Sequence, residues 1–155
     1  RDQPRSRGLG DVYKRQVVHC SATREGCTLT SEALEAEHRR RGFRTTGYHY
    51  YIRRDGTVLG TRSLELPGAH CRGHNKYSIG ICYEGGLDAR GNPKDTRTPE
   101  QRSALHLLVY QLLQQFRNAR VCGHRDLSPD LDGDGTVEPW EWVKQCPCFE
   151  VSKEF

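Results

Sequence analysis

The chain has 155 residues and a formal net charge of +4 at pH 7, a size that suits one compact domain. Residues 1–16 hold five Lys/Arg and two Asp, so this segment carries +3 and the rest of the chain only +1. A charge so close to neutral gives no support for a nucleic-acid partner, and no run of 18 apolar residues is present to span a membrane.

The start of the chain has an unusual sequence. Residues 8–16 read G-L-G-D-V-Y-K-R-Q, a string typical of a translated sequencing-library adaptor. We therefore expect residues 1–16 to be a non-native segment and residues 17–155 to form the domain. An ordinary basic N-terminal arm is the alternative. Nothing near the start resembles the apolar core of a signal peptide, although a native leader would have been lost together with a native start.

The first half of the chain predicts a strand, a helix and a β-hairpin, at residues 17–20, 31–41 and 47–60. The strand is a short apolar run that ends at His19. Thr30 is a helix N-cap, and Gly42 marks the end of the same helix. The hairpin is indicated by a turn at Asp55 and Gly56 between two β-branched and aromatic segments.

The second half predicts a strand at residues 77–83 and a long helix from residue 98 onward. A second strand is predicted at 119–122 and a short helix at 138–144. The long helix begins with a capping Thr98, a first-turn proline and a capping-box Gln101. Apolar residues then recur at helical spacing up to Phe116 and predict a core-facing stripe. Because strands alternate with helices, we expect a single α/β domain whose central mixed β-sheet is flanked by helices.

Three residues are candidate metal ligands. His19 ends the first strand, His124 follows the last strand, and Cys146 follows the last short helix. A catalytic zinc site uses three protein ligands and leaves the fourth position to water. Taken singly, a histidine at a strand end is more often structural, and a cysteine before proline is usually packed in a core. The seven cysteines are odd in number and lie in apolar segments, which argues against a disulfide framework.

The surroundings of these residues fall into five blocks. They read H-C-S-A-T at 19–23, G-Y-H-Y-Y-I-R-R-D-G-T-V at 47–58, G-A-H-C-R-G-H-N-K-Y-S-I-G-I-C at 68–82, G-H-R-D-L at 123–127 and K-Q-C-P-C-F at 144–149. In this order and spacing the chain resembles the type-2 N-acetylmuramoyl-L-alanine amidases, which include amidase-type phage lysozymes and peptidoglycan recognition proteins. The resemblance implies the fold of that family for residues 17 to about 149.

The resemblance implies that His19, His124 and Cys146 hold zinc. Two imidazoles and one thiolate leave the ion with a charge near +1, and such a site lowers the pKa of a bound water to about 7. The family's active-site tyrosine and lysine correspond to Tyr48 and Lys144, and a cation at the lysine position stabilises a developing oxyanion. Without the resemblance, the sequence would indicate a core position for Tyr48 and a solvent-exposed position for Lys144.

Other residues near these motifs have less specific roles. His70 and Asn75 belong to the third block and are expected to line the substrate groove. Cys148 is the alternative thiolate ligand, although the family often has serine there. His49 alternates with Tyr48 on a strand and is expected to be structural. His38 and His106 lie on predicted helices and are expected at packing or surface positions. The role of His74 is undecided.

The chain departs from the family pattern between His124 and Cys146. Residues 130–141 read D-L-D-G-D-G-T-V-E-P-W-E, which fits an EF-hand calcium loop. The predicted ligands are Asp130, Asp132, Asp134, the carbonyl of Thr136 and Glu141, with Glu138 at the position often bridged by water. We expect a structural clamp for Ca²⁺ that orders the segment leading to Lys144; a solvated acidic loop is the alternative.

The resemblance implies hydrolysis of the amide bond between N-acetylmuramic acid and L-alanine in peptidoglycan, as in a phage or prophage endolysin. We expect a monomer that is made in the bacterial cytoplasm, acts on the cell wall and has neither a nucleic-acid nor a membrane partner. A host wall-remodelling enzyme is a second setting. The alternative is a non-catalytic peptidoglycan-binding module, but such relatives typically lose the cysteine ligand that this chain keeps. These residues neither support nor exclude the inhibition of a phage RNA polymerase that is known for one phage relative.

Overall fold

The structure is a computed structural model that describes residues 13–129, 131–134, 137, 139, 142 and 144–155. In chain order the elements are β1 (Arg15–Cys20), β2 (Thr23–Arg24), α1 (Ser31–Arg40), β3 (Tyr50–Ile52), β4 (Val58–Gly60), β5 (Ser78–Tyr83), β6 (Gly86–Leu87), α2 (Pro99–Gln115) and β7 (Arg120–Gly123). Single 3₁₀ turns cover Asn75–Tyr77, His124–Leu127 and Val151–Lys153. Among the described helices, none is both long and apolar enough to cross a bilayer.

A five-stranded mixed sheet has the strand order β4-β3-β5-β1-β7, which confirms the predicted architecture. β1 pairs in parallel with β5 on one side and with β7 on the other. β3 is also parallel to β5, while β3 and β4 form the predicted antiparallel hairpin. Because three parallel strands point the same way, the ends of β1, β5 and β7 lie at one edge of the sheet.

The two faces of the sheet are covered by different helices. Side chains alternate along a strand, so Val18 and Cys20 of β1 join the apolar cluster that includes Leu105 and Val109 of α2. On the opposite face, Leu34 of α1 packs with Tyr51 and Cys82. His19 is an odd-numbered residue of β1 and therefore points away from α2, towards the face that α1 covers.

The helix ends follow the sequence signals. Thr30 Oγ1 accepts a hydrogen bond from Ala33 N at 3.1 Å, and α2 has the full capping box between Thr98 and Gln101. Gln101 does more than cap, because its Nε2 also donates to the carbonyls of Ile52 at 3.2 Å and Glu84 at 2.9 Å. The first turn of α2 is thereby fixed to the ends of β3 and β5.

Two sequence expectations change at the ends of the domain. β1 begins at Arg15 rather than Val17, because its pairing with β5 and β7 extends to that residue. Tyr13 is also buried, donates a hydrogen bond to the carbonyl of Leu64 and meets the Phe116 ring edge-on. Residues 1–12 lie outside the described residues, and the non-native origin of residues 1–16 stays a prediction. Most of the helix predicted at 138–144 also lies outside the described residues.

Gln16 of β1 is an unfavourable core residue. It is fully buried, its Nε2 donates to the carbonyl of Val109 at 3.3 Å, and its Oε1 has no hydrogen-bond partner among the residues that the structure describes. Gln16→Met keeps the side-chain length and removes the unpaired oxygen, so the free energy of unfolding should rise by about 1 kcal/mol. Urea unfolding measures this change. The same substitution at the exposed Gln114 should alter stability by less than about 0.5 kcal/mol; a loss of stability in Gln16→Met would contradict the interpretation.

Candidate metal centre and groove

Three side chains meet at the edge of the sheet where β1 and β7 end. His19 and His124 each bring a ring nitrogen, and Cys146 brings its Sγ, and these three atoms lie within 4.8 Å of one another. His19 is buried, while His124 and Cys146 are half-buried, so the cluster opens to solvent on one side. The structure thus brings together the three residues that the sequence indicated, although His19 and Cys146 are 127 positions apart along the chain.

Each of the three residues is held by backbone hydrogen bonds. His19 lies opposite Cys82 in the β1–β5 register. His124 begins the turn after β7. This turn is stabilised by a hydrogen bond that Asp126 Oδ2 accepts from Gly123 N at 2.8 Å. The carbonyl of Cys146 accepts a hydrogen bond from Arg125 N at 2.9 Å, and Cys146 Sγ accepts one from Cys20 N at 3.1 Å. Cys146 is therefore tied to β1, which carries His19, and to the turn that carries His124.

Cys148, the alternative ligand, points elsewhere. Its Sγ donates to the carbonyl of Gly86 at 3.3 Å and lies 4.0 Å from the Sγ of Cys20. Within the described part of the chain, the cluster of possible metal ligands contains Cys146 and not Cys148.

The buried histidines are neutral. Burial lowers the pKa of His19 well below its usual value, and the nearby Lys144 ammonium lowers it further. Burial likewise lowers the pKa of His70 to about 3. A neutral imidazole keeps the ring lone pair that binds a cation, so this environment suits metal coordination.

His70 lies directly behind His19. Its Nδ1 is 2.8 Å from His19 Nε2, and its Nε2 is 3.2 Å from the Ser78 hydroxyl. The close approach depends on glycine, because a Cβ at Gly80 would lie 2.6 Å from the His70 ring and one at Gly68 would lie 2.3 Å from it. The second ring nitrogen of a metal-binding histidine is commonly held by such a partner. His70 therefore orients His19, a role that the sequence did not reveal.

Tyr48 and Lys144 also lie beside the cluster. The ring centroids of Tyr48 and His19 are 5.1 Å apart, and burial raises the pKa of Tyr48 well above its usual value. Lys144 is exposed and lines the same depression as His19, His124 and Cys146. A tyrosine ring and a cation therefore flank the three candidate ligands.

The cluster faces a groove made of two adjoining cavities of about 290 and 560 Å³. Both cavities share Arg41, Ala69, His70, His124 and Lys144 as lining residues. Arg72 adds a third cation to the larger cavity, and none of the described residues that line it is acidic. Arg41 follows α1 and was not singled out from the sequence, because only the tertiary fold brings the end of that helix to the groove. The larger cavity is suited to an anionic ligand.

Three histidines outside the cluster have the predicted structural, packing or surface positions. His49 is fully buried, with Nε2 2.9 Å from the carbonyl of Leu66 and Nδ1 accepting from Gly80 N at 3.1 Å. His38 Nδ1 accepts a hydrogen bond from Gly47 N at 2.8 Å. His106 lies at the surface, 3.1 Å from Glu154 Oε1.

A sequence profile described as N-acetylmuramoyl-L-alanine amidase matches residues 10–147. The chain belongs to this family.

Relatives of known sequence and structure agree with the family assignment. A Haemophilus influenzae Rd protein of uncharacterised function is 47% identical over 97 residues, which cover 63% of this chain and 84% of that protein. The endolysin of Enterobacteria phage K11 is 35% identical over 136 residues, which cover 88% of this chain and 81% of that endolysin. The solved structure of the amidase LysC from Clostridium intestinale has a TM-score of 0.71 at 23% identity, covers 95% and 84% of the two chains, and supports the fold.

The acidic segment of this amidase family member is only partly described. Of the predicted calcium ligands, Asp130, Thr136 and Glu141 lie outside the described residues. Asp132 and Asp134 are exposed, and the backbone N–H of Asp134 donates to Asp132 Oδ1 at 3.2 Å. The calcium site therefore stays a prediction.

Asn75 supports the wall of the groove. Its Oδ1 accepts hydrogen bonds from His70 N at 2.9 Å and Cys71 N at 2.8 Å. Asn75→Ala leaves both donors unpaired and should lower the free energy of unfolding by about 1–3 kcal/mol, whereas Asn75→Asp keeps an acceptor and should retain most of the stability. Urea unfolding of both variants measures the difference. Equal losses in the two variants would contradict this role.

Proposed function

We propose that this chain hydrolyses the amide bond between N-acetylmuramic acid and L-alanine in bacterial peptidoglycan with the help of Zn²⁺. The observation that carries the proposal is the cluster of His19, His124 and Cys146, whose ligand atoms lie within 4.8 Å of one another beside a cationic groove. Membership of the amidase family supplies the reaction class.

The donor set fits zinc. Two imidazole nitrogens and one thiolate are ligands that Zn²⁺ prefers, and three protein ligands with an open side are typical of catalytic rather than structural sites. Bound zinc would polarise the substrate carbonyl and lower the pKa of a water to about 7. His70 would hold the ring of His19 in position.

The remaining residues have separate proposed roles. Hydrolysis adds water to the lactyl carbonyl carbon and releases the amine of L-alanine. The ammonium group of Lys144 stabilises the negative charge that develops on the carbonyl oxygen, and the Tyr48 hydroxyl orients the reacting groups. Arg41 and Arg72 bind the carboxylates of the peptide stem, while His70 and Asn75 contribute to the groove wall.

The proposed setting is that of a phage or prophage endolysin, which is made in the bacterial cytoplasm and acts as a monomer on the cell wall. The similarity to the endolysin of phage K11 over most of both chains supports the endolysin setting. Peptidoglycan is the proposed partner. A non-catalytic peptidoglycan-binding module is the alternative; the retained Cys146 in the ligand cluster favours the enzyme.

The deciding experiment measures the release of new alanine amino termini from purified peptidoglycan, with and without a zinc chelator. An amidase should release them, and the chelator should abolish the release until Zn²⁺ is restored. Binding to peptidoglycan without release by a folded, zinc-loaded chain would overturn the enzyme in favour of the binding module. Release that the chelator leaves unchanged would overturn the role of zinc.

In the same assay, Tyr48→Phe and Lys144→Met should each lower kcat by about 10²–10³-fold, as is typical when one group that stabilises the transition state is removed. Both variants should keep one equivalent of zinc, measured by mass spectrometry of the metal, because neither residue belongs to the ligand set. Lys153→Met, at an exposed lysine away from the groove, is the matched control and should leave kcat unchanged.

We propose further that residues 130–141 bind one Ca²⁺ and order the chain before Lys144. The support is the spacing of the acidic residues. Calorimetric titration of the metal-free chain with Ca²⁺ should show one site, and Asp132→Asn together with Asp134→Asn should weaken it at least tenfold. No heat of binding at millimolar calcium would refute the site.

A further inference from the structure

Two cysteines connect the chain segments that carry the metal-ligand cluster. Cys20 follows His19 at the end of β1, and Cys148 lies two residues after Cys146. Their Sγ atoms are 4.0 Å apart although the residues are 128 positions apart in sequence. Within the described structure both are free thiols.

The two sulfurs lie a short distance from bonding contact. A disulfide has an S–S bond of about 2.05 Å, so the two Sγ atoms must approach by about 2 Å. Gly86 lies against the pair: a Cβ there would lie 2.5 Å from the Cys20 Sγ, and its carbonyl accepts the Cys148 thiol at 3.3 Å. Cys148 is half-buried while Cys20 is buried, so an oxidant reaches Cys148 first.

We propose that Cys20 and Cys148 are a disulfide-forming pair that closes when the protein meets an oxidising environment. With a small disulfide such as oxidised glutathione, the Cys148 thiolate attacks one sulfur, forms a mixed disulfide and releases one glutathione thiolate. The Cys20 thiolate then attacks the Cys148 sulfur, forms the internal disulfide and releases the second glutathione. Two protein thiols are oxidised and one glutathione disulfide is reduced to two thiols.

The link would fasten the Cys146 segment to β1. It closes a loop of about 130 residues, and disulfides that close long loops give the larger stabilisation expected from chain entropy. Its consequence for metal retention rests on the proposed zinc site, and its timing rests on the proposed cell-wall setting, where oxidising conditions replace the reducing cytosol. The formation of the disulfide itself depends on neither.

Cys146 is the competing partner, because its Sγ lies 3.1 Å from the backbone nitrogen of Cys20. A Cys20–Cys146 disulfide would remove one candidate ligand. With zinc bound at the proposed site, the Cys146 sulfur would be occupied and Cys148 would remain as the partner. The zinc-loaded protein is therefore the correct species for the experiment.

The reduced, zinc-loaded full chain is incubated with oxidised glutathione, its remaining thiols are blocked by alkylation, and trypsin peptides are analysed by mass spectrometry. Peptide 16–24 contains only Cys20, and peptide 145–153 contains both Cys146 and Cys148. Fragmentation before Pro147 separates these two cysteines. A Cys20–Cys148 link supports the proposal. A Cys20–Cys146 link, no link, or Cys148 carrying only glutathione would overturn it.

A second readout is thermal stability. Oxidation should raise Tm by about 5–15 °C, from the usual stabilisation by a disulfide in a chain of this size, and slow the loss of zinc to a chelator several-fold. Cys148→Ser should abolish both effects, whereas Cys27→Ser, at an exposed cysteine, should keep them. A shift in Tm that persists in Cys148→Ser would refute the pair. A chain that forms the Cys20–Cys148 disulfide but has no amidase activity would support the disulfide pair and refute only the proposed amidase function.

Discussion

β1 is hydrogen-bonded in parallel to β5 on one side and to β7 on the other, and this pairing decides where the histidines meet. Parallel strands end at the same edge of a sheet, so His19 at the end of β1 and His124 immediately after β7 arrive together without any long loop to position them. The pairing also buries His19. A buried imidazole stays neutral because ionisation would place an unsolvated charge in the core, and a neutral imidazole is the form that binds a metal.

The site separates neutral donors from charged groups by depth. His19 and His70 lie in the interior, bonded to each other, and glycines at 68 and 80 make the space that the second ring needs. Lys144, by contrast, stands at the surface on the same groove. A cation kept in water costs little to hold charged, yet it lies near the position where negative charge would develop during amide hydrolysis. In the proposed enzyme, the neutral His19 would therefore serve metal binding from the interior, and Lys144 would stabilise charge from the surface.

The sequence predicts the elements well where local rules act. Thr98 and Gln101 form the expected capping box, and the Asp55-Gly56 turn joins the expected hairpin. The five motif blocks also predicted the three residues of the ligand cluster. What the sequence did not reveal are contacts between distant residues, such as His19 with His70 or Cys20 with Cys148. The start of β1 at Arg15 was missed for a similar reason: Arg15 and Gln16 are polar, and only pairing with strands from later in the chain makes them part of the sheet.

The described contacts that hold the Cys146 segment lie outside the acidic insertion. On one side, Arg125 N donates a hydrogen bond to the carbonyl of Cys146. On the other side, the Tyr83 hydroxyl donates to the carbonyl of the next residue, Pro147, at 2.5 Å. Further along, the Arg97 guanidinium lies 3.4 Å from the centre of the Phe149 ring and pairs with Glu154 at 2.6 Å. All these anchors lie outside residues 130–143. Lys144 directly follows that segment and has an exposed side chain, so a cation bound in the insertion would act on the position of Lys144 far more than on Cys146. Under the proposed function, loss of such a cation should therefore slow the reaction while leaving the candidate zinc ligands in place.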